Sequence, residues 1–308
     1  AKVFCANRAM FMQTKNKIAS HLWFDKEAKE AAQFYTSAFG GNSTITNVTT
    51  LHNTPSGDTD IVSFTLAGQK FQAISAGPLF TFNPSVSFRV NCNTKTEVDA
   101  LWEKLIKEGT PLMPIGSYPF SQRYGWLQDK YGLSWQIMLS NQEIAQKITP
   151  SLLFTGDICG KAEEAIHSYV SVFKDAQLGG MMRYEKGEEP DVAGTLKYAA
   201  FTLADQTFTA MDSAHNHGFS FNEAISFLVY CDNQAEIDYY WEKLSAVPEA
   251  EQCGWLKDKY QISWQIVPKK MDEIMLTSDK DTLDRITQAF LKMKKFNISE
   301  LERAYEGK

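Results

Sequence analysis

The sequence lacks three features that would assign the chain to a membrane, an export route or a nucleic acid. No stretch approaches the roughly 20 consecutive apolar residues that cross a bilayer. Residues 1–5 lack the apolar core of a signal peptide. The 37 acidic and 31 basic residues are interspersed, giving a net charge of −6 without the basic stripe that phosphate backbones require. We therefore expect a cytoplasmic globular protein that binds neither membranes nor nucleic acid.

Two residue patterns that mark other protein classes are also absent. The five cysteines are odd in number and include no C-x-x-C pair, so we expect free thiols rather than disulfides or a cysteine zinc site. They are Cys5, Cys92, Cys159, Cys231 and Cys253. The sequence also contains no G-x-G, so it lacks the glycine-rich turn with which parallel nucleotide-binding sheets approach their cofactor.

An internal repeat is the strongest pattern that is present. Residues 125–137 recur as residues 254–266 with ten of thirteen positions identical, and residues 102–105 recur as 241–244. The offset falls from 139 residues between Trp102 and Trp241 to 129 residues between Trp126 and Trp255. The chain is therefore a tandem duplication, and its second copy lacks ten residues before the final hairpin.

Each copy is predicted to fold as two successive βαβββ modules of the α+β class. In the first copy, residues 20–24 are typical of a short buried strand, and apolar residues then recur at helical spacing up to Phe39. Three strand-length segments separated by turn residues follow, and the same order begins again at residue 85. We predict domains at residues 18–140 and 149–268. The apolar stripe of residues 271–308 predicts a helical tail that packs on the domains.

Four features of the sequence together resemble a known protein family. They are the paired βαβββ modules, the first helix ending in Phe39-Gly40-Gly41, the Gly-Trp-x-x-Asp-x-x-Gly-x-x-Trp-Gln hairpin, and the segment of residues 292–295. The chain resembles the PhnB-like branch of the vicinal-oxygen-chelate, or glyoxalase and bleomycin-resistance, superfamily. The resemblance implies two domains with half-closed mixed sheets whose concave faces hold a small ligand, often with a divalent metal. Proteins of this branch are often labelled 3-demethylubiquinone methyltransferases, but without a glycine-rich turn we expect no methyltransferase activity.

The resemblance also implies where a metal would bind. In metal-dependent relatives His and Glu ligands lie on the first and last strands of each module. The corresponding positions are near Ala19 or His21, Gln72, Ser85 and Gln136 in the first copy, and near Ser151, Thr209, Ala224 and Gln265 in the second. Only His21 is an ordinary metal ligand, since amides and hydroxyls bind zinc, nickel or iron poorly. We therefore expect no metal cofactor.

Strand alternation selects candidate ligand-binding residues. Gln136 and Gln265 lie on the opposite strand face from the tryptophans beside them, so they face the cup if the tryptophans face the helices. His21 and Trp23 share a face in the same way, and Arg89 could offer a guanidinium to an anionic ligand. The alternatives stay open: an amide satisfied within the sheet, a structural histidine and a solvated arginine.

A second candidate site follows a strand of the second copy. Asp212, His215 and His217 could converge on a cation, and a solvated polar loop that ends in glycine is the alternative. We include Asp212 among the ligand-binding candidates, together with Gln72 and Ser85, and treat the two histidines as the only metal-ligand candidates outside the cups.

Three functions remain open from the sequence. The first, which we favour, is a protein that binds an unidentified small molecule in an aromatic-walled cup. The second is a divalent-metal-dependent lyase, thiol transferase or dioxygenase, which needs a bound cation or a convergent acid and base. The third is a scaffold in which one copy has lost its cup. We expect the two domains to pair with each other, and we leave further oligomerisation open.

Overall fold

The computed structural model describes residues 17–308. Four cysteines in that range, at positions 92, 159, 231 and 253, are free thiols, and Cys5 lies outside the described residues. None of the helices between residues 17 and 308 is long and apolar enough to cross a membrane.

Fifteen strands and seven α-helices make up the described chain. The strands are β1 (Ile18–Phe24), β2 (Thr44–Thr54), β3 (Gly57–Leu66), β4 (Gln69–Ser75), β5 (Val86–Cys92), β6 (Thr110–Tyr118), β7 (Ser121–Gln128), β8 (Ser134–Leu139), β9 (Ile148–Phe154), β10 (Gln177–Arg183), β11 (Leu196–Leu203), β12 (Gln206–Asp212), β13 (Ile225–Cys231), β14 (Trp255–Lys257) and β15 (Ser263–Pro268). The helices are α1 (Ala28–Phe39), α2 (Lys95–Leu105), α3 (Ala162–Val172), α4 (Gln234–Leu244), α5 (Met271–Thr277), α6 (Lys280–Phe290) and α7 (Ile298–Glu306). The predicted α+β class is confirmed, and three of the four modules have the predicted βαβββ order, whereas the last module has only β14 and β15 after its helix.

The described chain forms two compact units, and each unit takes one module from each repeat. The first unit contains residues 17–36, 42–81 and 222–308, and the second contains residues 37–41 and 82–221. The boundaries of the structural units therefore differ from those of the two sequence repeats, which span residues 18–140 and 149–268. Each unit is built around its own open mixed sheet.

The strand order shows how the modules are combined. The first unit's sheet runs β14-β15-β13-β1-β4-β3-β2, with β1 parallel to β4 and antiparallel to β13. The second unit's sheet runs β10-β11-β12-β9-β5-β8-β7-β6, with β5 antiparallel to β9. Each sheet therefore combines strands from both repeats and does not correspond to a single repeat. Periodicity identifies a strand but carries no information about its nonlocal neighbour, so it could not make this choice.

The repeated hairpin motif is held by a buried aspartate. In the first unit the Asp258 carboxylate accepts hydrogen bonds from Tyr260 N at 2.8 Å, Ile262 N at 3.0 Å and Trp264 Nε1 at 2.9 Å. Asp129 makes the equivalent contacts in the second unit. Trp264 is 1% exposed and its ring lies 5.5 Å from that of Phe227. The aspartate thus fixes the turn and the core tryptophan together.

The C-terminal tail packs on the first unit, as predicted. Helices α5 and α6 contact β2, and α7 packs on α6. Cys253 N donates to Met293 O at 2.8 Å and Gly254 N to Lys294 O at 2.7 Å. In the second unit, by contrast, strand β6 pairs with β7 at this edge of the sheet. The tail therefore supplies backbone acceptors where the ten-residue deletion shortened the hairpin of the second repeat.

Candidate functional site

A cavity of about 560 Å³ lies within the first unit. This volume falls in the range of small-molecule sites, roughly 300–1,000 Å³. Its floor comes from strands of both modules and its roof from the tail, so neither repeat alone encloses it. The floor residues include His21, Trp23, Leu51, Ile61, Gln72, Ile74, Leu228, Trp255, Gln265 and Val267, and the tail contributes Met271, Asp272, Met275, Phe290, Leu291 and Phe296.

Polar side chains cross the floor of the cavity in a row. His21 on β1 is in register with Gln72 on the parallel strand β4 and with Ser226 on the antiparallel strand β13. Gln265 on β15 donates from Nε2 to Ser226 Oγ at 3.0 Å. Four of the predicted ligand-binding residues, His21, Trp23, Gln72 and Gln265, therefore line one cavity.

His21 is a buried neutral imidazole with an unused ring atom. It is 2% exposed, and among the described residues its Nδ1 has no hydrogen-bond partner. Burial lowers the pKa of His21 to about 3, because a charged ring in this apolar environment would be desolvated. Its ring meets Trp255 edge-on at 5.4 Å. The imidazole therefore carries no charge at neutral pH and retains one ring nitrogen whose hydrogen-bonding capacity is unused.

The walls beside this row are aromatic. The Trp23 ring lies 5.0 Å from Phe80 and 5.9 Å from Trp255, both nearly edge-to-face. Trp23 Nε1 donates to Gly77 O at 2.8 Å, which satisfies its polar atom and fixes the ring. This wall of the cavity therefore consists of aromatic rings packed edge to face.

Sequence reasoning missed the contribution of the tail. Asp272 on α5 forms an ion pair with Lys70 and also accepts a long hydrogen bond, at 3.5 Å, from Gln72 Nε2. Lys70 Nζ in turn lies 4.1 Å from the ring centre of Tyr230. The apolar stripe of the tail predicted that the tail packs on a domain. The only indication of which surface it covers was the shortened hairpin of the second repeat.

The other predicted residues lie in the second unit, where Gln136 is satisfied but the buried Arg89 Nε has no hydrogen-bond partner among residues 17–308. Gln136 accepts from Tyr124 Oη at 2.8 Å and donates to Ser87 Oγ at 2.7 Å, so its amide is satisfied within the sheet. The guanidinium of Arg89 lies 5.1 Å from the ring centre of Tyr198. Ser85 is buried and its backbone N donates to Asn83 Oδ1 at 2.9 Å.

Within residues 17–308 the structure does not group the side chains of Asp212, His215 and His217 around one point. The Asp212 carboxylate accepts three backbone N–H groups, from Gly160, Ala162 and Leu196, at 2.7 to 3.2 Å. The side chain of His217 is instead hydrogen-bonded to Ser213 Oγ, and His215 lies 3.5 Å from an oxygen of Asp191. Asp212 thus ties residues 160–162, where α3 begins, to Leu196 at the start of β11.

The residues at the family's metal positions do not fit a metal centre. The first unit offers one imidazole and two amides at these positions, a set that binds zinc, nickel or iron poorly. Within residues 17–308 no group of three or more His, Cys, Asp or Glu side chains is placed to hold an ion.

The dialysed full-length protein is therefore expected to contain well under one equivalent of Zn, Ni, Mn or Fe per chain. Elemental analysis checks this, with the His215→Ala, His217→Ala double variant as the control for surface binding. One tightly held cation per chain that survives dialysis in both proteins would contradict the assignment.

Comparison with known proteins agrees with the fold and the repeat. A PhnB protein from Bacillus cereus is 44% identical over 41% of this chain and 100% of its own length, with a TM-score of 0.38. Glyoxalase I from Zea mays matches 85% of this chain and 96% of its own at a TM-score of 0.52 and 11% identity, which shows a shared fold. No curated protein matches. The model of the family described as 3-demethylubiquinone-9 3-methyltransferase matches residues 16–138 and again residues 146–267, so the chain belongs to this family.

Proposed function

We propose that this chain is a small-molecule-binding protein and that the cavity of the first unit is its binding site. One observation carries the proposal: a cavity of about 560 Å³ with aromatic walls contains a buried imidazole whose Nδ1 lacks a partner. A buried polar atom without a hydrogen bond costs about 1–3 kcal/mol. A ligand that completes this bond recovers that free energy.

The charges around the cavity favour a neutral ligand. Among the described residues that line it, Glu223, Glu249 and Asp272 are acidic and none is a lysine or arginine. Glu223 pairs with Lys257 at 2.6 Å, and Asp272 pairs with Lys70. An anion would have to enter beside these carboxylates without a cation on the wall to receive it. We infer a mostly apolar, neutral ligand.

Cavity blocking tests the proposal. The full-length protein is incubated with a metabolite extract, desalted, and analysed by mass spectrometry for retained compounds. Leu228→Phe places a larger side chain in the cavity wall, where it competes with the ligand for space. Overpacking of this kind costs about 1–3 kcal/mol when the ligand is bound, so retention of the bound species should fall roughly tenfold or more. The matched control is Leu276→Phe, since Leu276 is 60% exposed and lies outside the cavity. Equal retention by the two variants would refute the assignment of the site.

Methyltransferase activity, which the family description suggests, is not part of the proposal. The sequence has no glycine-rich strand-to-helix turn, and both sheets are mixed rather than parallel. Millimolar S-adenosylmethionine is therefore expected to leave the melting temperature unchanged, whereas a ligand present at 100 times its Kd would add about 2.7 kcal/mol of stability. A saturable rise in Tm, measured by calorimetry, would contradict this expectation.

A further inference from the structure

The second unit provides an internal comparison for one part of the cavity, because the repeat places equivalent residues in both units. Gln136 and Ser87 of the second unit occupy the positions of Gln265 and Ser226 in the first. In both units the glutamine Nε2 donates to the serine Oγ, at 2.7 Å and 3.0 Å respectively. The same amide is thus held in the same way in the two sheets.

The two side-chain amides differ in the hydrogen-bond donor to their carbonyl oxygen. In the second unit the buried phenol of Tyr124 donates to Gln136 Oε1 at 2.8 Å. In the first unit no residue among 17–308 is hydrogen-bonded to Gln265 Oε1. The acceptor that a phenol satisfies in one unit is therefore left open in the other, at the wall of the cavity.

The backbone explains why the first unit supplies no phenol of its own. Tyr124 lies within β7, which continues through Gln128, and the repeat places Cys253 at the equivalent position. There the strand begins only at Trp255, and the chain reverses direction with φ of 51° at Cys253 and 84° at Gly254. Trp255 N accordingly donates to Gln252 O at 2.8 Å and closes a tight turn.

Two residue differences between the units enlarge the space beside Gln265 Oε1 in the first unit. Arg89 and Met138 of the second unit correspond to Leu228 and Val267 of the first, and both of these smaller residues line the cavity. Leu228 is in register with Gln265 on the adjacent parallel strand. The space that the larger side chains of Arg89 and Met138 occupy in the second unit is therefore part of the cavity in the first unit.

We propose that the cavity takes a neutral phenol whose O–H donates to Gln265 Oε1, in the role that Tyr124 plays in the second unit. The ring of the ligand lies among the edge-to-face rings of Trp23 and Trp255, and the phenolate anion does not fit because it has no O–H to donate to the amide oxygen. This inference rests on the proposed function, because it names the ligand class of the same cavity.

A matched pair of probes tests the hydroxyl. Binding of 2-naphthol and 2-methoxynaphthalene to the full-length protein is measured by isothermal titration calorimetry. Leaving a buried acceptor unpaired costs about 1–3 kcal/mol, so 2-naphthol should bind about tenfold more tightly. In Gln265→Met, a side chain of similar size without the acceptor, the two affinities should agree within about twofold. The control is Gln33→Met, since Gln33 is exposed on α1 and lies outside the cavity, and it should keep the preference.

The outcomes separate this inference from the proposed function. Equal binding of the two probes to the unaltered protein would overturn the phenol assignment while the cavity remains a binding site. Failure of 2-naphthol to bind would overturn it too, and the retention experiment with Leu228→Phe would then judge the cavity independently. A melting curve will show whether the Gln265→Met protein folds. If it does not, the preference of the unaltered protein for 2-naphthol over 2-methoxynaphthalene still tests the phenol assignment.

Discussion

Residues 18–140, expressed alone, are expected to form a homodimer and not a stable monomer. In the full chain, β1 pairs with β13 and β5 pairs with β9, and both partners come from the second repeat. The isolated repeat leaves these two buried strands as exposed sheet edges with unpaired backbone groups. A second copy can cover them by pairing β1 of each chain with β5 of the other, in the antiparallel arrangement that the full chain uses.

Sedimentation and thermal melting measure this expectation. The isolated repeat should sediment at twice its mass, and its Tm should fall with dilution because folding and association are linked. Co-expression with residues 141–308 should instead recover a one-to-one complex. A monomer that is as stable as the full-length protein would show that the strand exchange between the repeats contributes nothing to stability.

Replacement of Asp258 by alanine is expected to lower the free energy of unfolding by about 3–5 kcal/mol. Asp258 is 3% exposed, and its loss leaves Tyr260 N, Ile262 N and Trp264 Nε1 without their acceptor. Each unpaired buried donor costs about 1–3 kcal/mol, and breaking such a network is among the few mechanisms that give large losses.

Chemical denaturation of two variants checks this value. The control is Asp238→Ala, since the Asp238 side chain is 48% exposed and pairs with Lys295 on the surface. Surface ion pairs contribute about 0–1 kcal/mol, so the control should unfold nearly as the unaltered protein does. A loss of under about 1 kcal/mol in Asp258→Ala would show that the motif aspartate does not hold the hairpin.

Part of the candidate site could be predicted from strand alternation. Side chains two residues apart share a sheet face, so His21 and Trp23 had to lie together, and Gln265 had to face away from Trp264. The structure places the first three on the cavity wall and Trp264 in the core. The same rule applies to Gln136, but there a nearby tyrosine satisfies the amide. Alternation gives the face of a side chain and does not give its partner.

The sequence by itself determined the repeat, the order of elements within the modules and the position of the hairpin motif, because these depend on periodicity and on residues close in the chain. Asp258 and Trp264, for example, are six residues apart. Only the tertiary structure decided which modules share a sheet, that the tail covers one cavity, and that Gln136 is satisfied while Gln265 is open. These outcomes depend on contacts between distant segments, such as β1 with β13, which no local pattern encodes.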